Sequence, residues 1–175
     1  SGAVSGDAGV FARARREVTV MSKGFRIWSG GPRDAAVLAR LHAPVFPDAW
    51  PQEAFRSVLV RDGVNVLMGA REGVKQAEGF ILIRTVADEA EVLTFCVSAA
   101  ARRSGLGSAL LDIAYDTARG LGADDMFLEV GEKNEPAFAL YKRDGFVVVG
   151  RRAAYYHHGD KPADALVMRK SLKQG

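Results

Sequence analysis

Two arginines and two glycines set between an apolar run and an amphipathic one constrain this chain more than any other feature. Glu91-Val92-Leu93-Thr94-Phe95-Cys96-Val97 is rich in apolar and β-favouring residues and reads as a buried strand. Downstream, Leu106, Ala109, Leu110, Ile113, Ala114 and Thr117 recur at helical spacing, and Gly120 stands where a helix would stop. Arg102-Arg103-Ser104-Gly105-Leu106-Gly107 lies between them. The glycines therefore fall at a strand-to-helix turn, where free N–H groups and the positive end of a helix dipole bind an anion such as a pyrophosphate. Neither glycine has a side chain to block close backbone approach, and the arginines add positive charge.

At 175 residues a single domain is the default. The net charge of +3 suits an anionic cofactor but is too mild and dispersed for nucleic acid. No apolar run approaches the roughly 20 residues of a membrane span, so no membrane partner is expected. The one cysteine, Cys96, cannot form an internal disulfide, which fits a reducing cytoplasm, and its apolar strand makes it a core residue rather than a reactive thiol. Residues 1–22, rich in Gly, Ala, Ser and charge, read as a flexible tail. Arg13, Arg15 and Arg16 are accompanied by Asp7 and Glu17 and followed by no apolar targeting core. Residues 23–172 read as one domain.

Within it, Phe25 to Trp28 reads as a short strand. Arg33 to His42 reads as a helix with Ala36, Val37 and Leu41 on its apolar face and Pro32 near its start. Asp48-Ala49-Trp50-Pro51 is a turn opening a second helix that runs to about Leu59. Val64 to Ala70, Ala77 to Val86 and Glu91 to Val97 are strands joined by antiparallel connections. After the glycine turn and its helix come a strand Met126 to Val130, a helix Glu135 to Arg143, and a strand from Phe146. Ala165 to Met168 closes the sheet, and His157 and His158 read as loop residues with no acidic or thiol partners for a metal. The pattern predicts an α/β (α+β) fold, a mixed and mostly antiparallel sheet with helices on both faces. The dinucleotide fingerprint G-x-G-x-x-G and the P-loop G-K-[ST] are both absent.

From Glu89 to Met168 the chain resembles the GNAT acyltransferase superfamily, and within it the bacterial ribosomal-protein-alanine N-acetyltransferases. Ala90-Glu91-Val92-Leu93, Arg102 to Gly107, Leu128-Glu129-Val130 and Asn134 carry the resemblance. So do Ala139-Leu140-Tyr141 with Gly145-Phe146, Arg151-Arg152-Ala153-Ala154-Tyr155-Tyr156, and Asp164-Ala165-Leu166-Val167-Met168. His42 to Phe55 is a looser match. Departures are Ser98 for a usual Asp, Arg102 for a frequent Gln, and Gly131 and Lys133 where the ribosomal-protein enzymes carry Arg and Ser; Gly131 would shape the substrate entrance.

The resemblance implies acetyl-CoA as acyl-donor cosubstrate and no metal. Its pantetheine arm would run along main-chain groups of Phe95, Cys96 and Val97, and its pyrophosphate would meet amides of Arg103, Ser104, Gly105, Leu106, Gly107 and Ser108. Asn134 offers its amide to the cofactor arm, or caps the helix ahead of Glu135-Pro136, or does both. Glu129 is implied as the base, acting through a water, and Tyr141 as the acid for the departing thiolate. A phenol with an ordinary pKa near 10 is protonated at neutral pH, as an acid must be.

The implied acceptor is the N-terminal α-amine of a protein, with a ribosomal protein the subfamily's example. Such an amine, with an ordinary pKa of about 7.7–8.0 against about 10.4 for lysine, asks less of a carboxylate base. Trp50, Tyr155 and Tyr156 either wall a narrow acceptor slot or form ordinary aromatic packing. The rival readings are a small-molecule amine acetyltransferase and a non-catalytic acyl-CoA-binding module, against which the presence of both Glu129 and Tyr141 argues. A monomer or weak homodimer in the cytoplasm is expected.

Overall fold

The computed structural model describes residues 19–158 and 161–174, with backbone alone at 154–158, 161 and 162. Runs of branched apolar residues make the strands: β1 (Thr19–Ser22), β2 (Phe25–Ser29), β3 (Val64–Arg71), β4 (Gly79–Val86), β5 (Glu89–Val97), β6 (Asp125–Gly131), β7 (Val147–His158) and β8 (Lys161–Ser171). They form one sheet in the order β1-β2-β3-β4-β5-β6-β8-β7. Only β5 and β6 are parallel among the described strands, joined by the right-sized crossover helix that parallel pairing requires. The helices are α1 (Ala35–His42), α2 (Gln52–Leu59), α3 (Leu106–Gly120) and α4 (Glu135–Arg143).

Three expectations need correction. Thr19–Ser22, assigned to the tail, pairs antiparallel with β2 as the first strand of the sheet. Residues 1–18 lie outside the described residues. The last strand does not close the sheet: β8 inserts between β6 and β7, bonding both, so β7 is the edge. His157 and His158 belong to β7 rather than to a loop, and β7 pairs them with Pro162 and Lys161.

The two faces of the sheet have separate cores. On one, α3 and α4 cover Ile27, Leu67, Ile81, Ile83, Met126, Leu128 and Val130. On the other, α1 and α2 cover Val66, Met68, Phe80, Leu82 and Cys96. Helix α1 buries Ala35, Leu38 and His42, not the stripe through Ala36, which is exposed. Val37 and Leu41 are only partly buried against the same core.

The start of α3 sits deep in the first core because β3 offers no side chain there. A Cβ on Gly69 would come within 2.8 Å of Ile27 Cδ1 and 2.9 Å of Leu106 Cδ1. Gly69→Val should therefore overpack this contact and lower stability by about 1–3 kcal/mol. Denaturant unfolding checks this; an unchanged midpoint would show that α3 can shift outward without cost.

Candidate active site

Strands β5 and β6 begin as neighbours and then part. Glu89, Ala90 and Glu91 pair with Asp125, Met126 and Phe127, and no further residues pair. Strand β6 continues against β8 as far as Gly131↔Ala165, and β5 continues against β4 as far as Val97↔Gly79. One cause of the parting lies in β5. Its register against β4 jumps from Ile83↔Val92 to Leu82↔Thr94, so Leu93 is an extra residue, a β-bulge. Bulges bend a strand and re-aim its side chains. From Val92 to Val97, β5 thus presents an edge that no described strand occupies, with N–H and C=O groups available to an extended ligand.

This edge runs into the glycine turn. Ala99–Ala101 form a 3₁₀ turn, and α3 starts at Leu106 with Gly105 as its N-cap. Arg103 has φ +61° and Gly105 φ +97°, two left-handed residues that curl the backbone sharply, as in backbone turns whose N–H groups can bind anions. Ser104 Oγ accepts from Leu106 N–H at 3.3 Å and donates to the Ala101 carbonyl, which holds the curl in place. The first amides of an α-helix have no intrahelical acceptor, and those of α3 open here. Gly107 lies against side chains of β5: its Cβ would meet Phe95 Cζ at 3.3 Å and Val97 Cγ2 at 3.7 Å.

Glu129 is the second residue of β6 beyond the last β5 pair. Leu128 and Val130 beside it point into the α3/α4 core, so Glu129 points to the α1/α2 face. Its side chain is 22% exposed, and Oε1 accepts from Arg152 Nη1 of β7 at 2.7 Å. Tyr141 approaches from the other face. It is buried on α4 within the α3/α4 core, its ring 6.3 Å from that of Phe95 and 5.7 Å from that of Phe146. Glu129 and Tyr141 thus lie on opposite faces of the sheet, Tyr141 beside Phe95 of β5 and Glu129 on β6 where the two strands have parted. Asn134 caps α4, its Oδ1 accepting from Ala137 N–H at 3.3 Å, which realises one of its two expected roles.

Phe95 and Val97 pack on the α3 face and Cys96 on the other, as alternation requires. Burial pushes the Cys96 thiol up to about 12, against a smaller opposing pull from Arg102, so no thiolate nucleophile is available near neutral pH. The Trp50 ring packs at 5.2 Å from Phe55 and 5.7 Å from His42 and stays partly exposed. Tyr155 and Tyr156 lie on β7, with side chains outside the described residues.

Sequence reasoning did not assign Arg152 to Glu129, although the Arg151-Arg152 pair was visible. In a strand these two point to opposite faces. Arg151 Nη1 meets Glu132 and, at 3.0 Å, Asp164 Oδ2.

The model described as "Acetyltransferase (GNAT) family" matches residues 35–146, which include the bulged strand, the anion turn, Glu129 and Tyr141. The chain belongs to the GNAT acetyltransferase family. Among its relatives, "N-alpha-acetyltransferase RimI" of Mycobacterium tuberculosis (strain ATCC 25618 / H37Rv) is 39% identical over 142 residues, covering 78% of this chain and 86% of the relative. The "[Ribosomal protein bS18]-alanine N-acetyltransferase" of Escherichia coli (strain K12) is 33% identical over 129 residues, covering 74% and 82%. The crystal structure of the ribosomal-protein-S18-alanine N-acetyltransferase from Escherichia coli superposes with a TM-score of 0.79 at 26% identity, over 86% of this chain and 96% of that one. Arabidopsis thaliana NAA60 in complex with acetyl-CoA shares the fold, with a TM-score of 0.74 at 20% identity, over 84% and 98%. The mixed sheet with helices on both faces is thus the GNAT fold.

Proposed function

We propose that this GNAT enzyme transfers the acetyl group of acetyl-CoA to the N-terminal α-amine of a protein, with a ribosomal protein's N-terminal alanine as the candidate acceptor. The observation that carries this reading is the opening between β5 and β6, with Glu129 on one face and Tyr141 on the other. The two N-acetyltransferase relatives that cover most of this chain support it.

The residues present fit acetyl-CoA. The concavity from Arg103 to Ser108 suits a pyrophosphate, because it combines left-handed backbone, helix-start amides and a glycine whose missing Cβ leaves the Phe95 ring in place. The open main-chain edge of Phe95, Cys96 and Val97 suits the amides of a pantetheine arm, and Asn134 lies at the start of the helix that carries Tyr141. Bound acetyl-CoA supplies an activated thioester carbonyl. Glu129, reached from the α1/α2 face, takes the amine's proton through a water, and Arg152 must yield Oε1 as it does so. Tyr141, reached from the α3/α4 face, gives a proton to the departing thiolate. Main-chain donors of the bulged strand around Val97 stabilise the developing oxyanion.

Gly107→Leu tests the cofactor half. Its side chain would displace Phe95 and Leu140, a rearrangement of about 1–3 kcal/mol that should weaken CoA binding about tenfold or more. Calorimetric titration reads this, with the unfolding midpoint as control; unchanged affinity would refute the cradle.

Competition tests the acceptor half. Peptides beginning with Ala or Ser should be acetylated in preference to the same peptides blocked at the N-terminus but carrying a free lysine. At pH 7 the α-amine supplies more neutral nucleophile, by roughly two orders of magnitude for ordinary pKa values. A slot narrow enough to aim an α-amine also leaves little room for a bulky first residue. Preferential lysine acetylation would overturn the α-amine reading and leave the acetyl-CoA reading standing.

A further inference from the structure

The α1–α2 connection and the bulged strand are joined through one buried side chain. His42, the last residue of α1, is 2% exposed. Its Nδ1 accepts from the Trp50 backbone N–H at 3.1 Å, which fixes the ring as the tautomer protonated at Nε2. Nε2–H then donates to Thr94 Oγ1 at 2.9 Å. The ring stacks on Phe46 at 4.2 Å and meets Phe55 edge-on at 5.3 Å, so neither bond can be exchanged for water without opening an aromatic cluster.

The two partners are not arbitrary. Thr94 is the residue after the bulged Leu93, at the place where β5 has left β6. Trp50 ends the loop that enters α2 and lies on the same sheet face as Glu129. A plain core histidine would need one bond to satisfy it; this one spends one nitrogen on the α1–α2 connection and the other on β5, next to the weaker Cys96 Sγ bond to the Leu41 carbonyl.

We propose that His42 is a positioning residue, holding the Trp50 loop in register with the bulged cofactor strand so that an acceptor amine delivered on the α1/α2 face meets the thioester. The inference rests on the reading that the acceptor enters on that face. His42 touches neither substrate; it sets the distance between the wall that orients the amine and the strand that carries the acetyl group. Its loss therefore acts on acceptor binding and leaves the anion turn alone.

Two substitutions separate its two bonds. His42→Gln can place an amide N–H near Nε2 and keep the Thr94 bond while losing the acceptor for Trp50. His42→Asn can place an oxygen near Nδ1 and keep the Trp50 bond while losing Thr94. Acceptor KM with an Ala-initiated peptide, CoA Kd, and amide hydrogen exchange at Trp50 are measured for both. The expected result is that His42→Gln raises acceptor KM about tenfold, the effect of one buried hydrogen bond, and speeds Trp50 exchange by a similar factor. CoA Kd should stay within about twofold, and His42→Asn should keep Trp50 exchange near wild type. If the two variants change Trp50 exchange equally, or if only the unfolding midpoint moves, His42 is a packing residue and the inference fails. If Trp50 exchange separates the variants as expected but acceptor KM does not respond, the coupling to the acceptor fails. Failure of the α-amine reading shows separately, as wild-type preference for lysine peptides.

Discussion

Glu129→Gln should slow acetyl transfer by about 10²–10⁴-fold at neutral pH, the range that a positioned general base contributes. The substitution keeps the volume and one hydrogen-bond acceptor for Arg152 but removes the group that takes the amine's proton. The defect should shrink as pH rises past the α-amine's ordinary pKa of about 7.7–8.0, because bulk water then supplies the neutral nucleophile. Tyr141→Phe leaves the ring contacts with Phe95 and Phe146 in place, so CoA affinity should hold while turnover falls. Pre-steady-state and steady-state rates against an Ala-initiated peptide from pH 6 to 9 check both variants. Wild-type turnover by both across that range would remove the assigned pair and leave the proton transfers to other groups or to solvent, whereas a wild-type protein that binds CoA and turns over no amine would raise the acyl-CoA-binding module.

Arg152 adds a feature that a bare carboxylate lacks. Its guanidinium meets Glu129 in a half-exposed pair, where geometry contributes more than Coulomb energy. An α-ammonium arriving at Glu129 would carry the same charge and keep the carboxylate paired until its proton is taken, while the displaced guanidinium, already half-exposed, turns to solvent. The neighbouring Arg151, held by Glu132 and Asp164, keeps β7, β8 and the end of β6 aligned behind this exchange.

The anion turn was legible because its signals are local. Strand composition, two glycines and a helical repeat occur within thirty residues, and the helix from Leu106 to Gly120 has the boundaries that the repeat implies. The roles proposed for Glu129 and Tyr141 come only through resemblance, since a lone strand-end carboxylate and a helical tyrosine carry no chemistry by spacing. What the sequence hid is set by long-range pairing. The bulge at Leu93 exists only relative to β4, and β8 finds its place between β6 and β7 through a register that no local pattern encodes. Helix α1 shows the cost of reading apolar residues alone. Its buried stripe runs Ala35, Leu38, His42, and a polar type at the third position moved the inferred face round to Ala36.

That same histidine should make the fold acid-sensitive in a definite window. Burial lowers the His42 pKa from 6.5 to about 4. A protonated ring cannot accept from Trp50 N–H, and its charge would sit among Phe46, Phe55 and Phe80. Because the folded state binds the proton more weakly than the unfolded chain, the stabilisation is complete above pH 6.5. It is lost as pH falls from there to about 4, where the difference is exhausted. At 1.36 kcal/mol per pKa unit the loss is about 3 kcal/mol across that interval. Glu78, which its bond to Arg71 holds below the ordinary carboxylate range, starts to add its own loss as pH falls past that ordinary value, at the acid end of this window, and does so in wild type and His42→Asn alike. Denaturant unfolding at steps from pH 7.5 to 4 should therefore show wild-type stability falling through the histidine window while His42→Asn, with nothing to titrate there, stays flatter. Parallel curves for the two proteins would mean that His42 is as basic in the folded protein as in the unfolded chain.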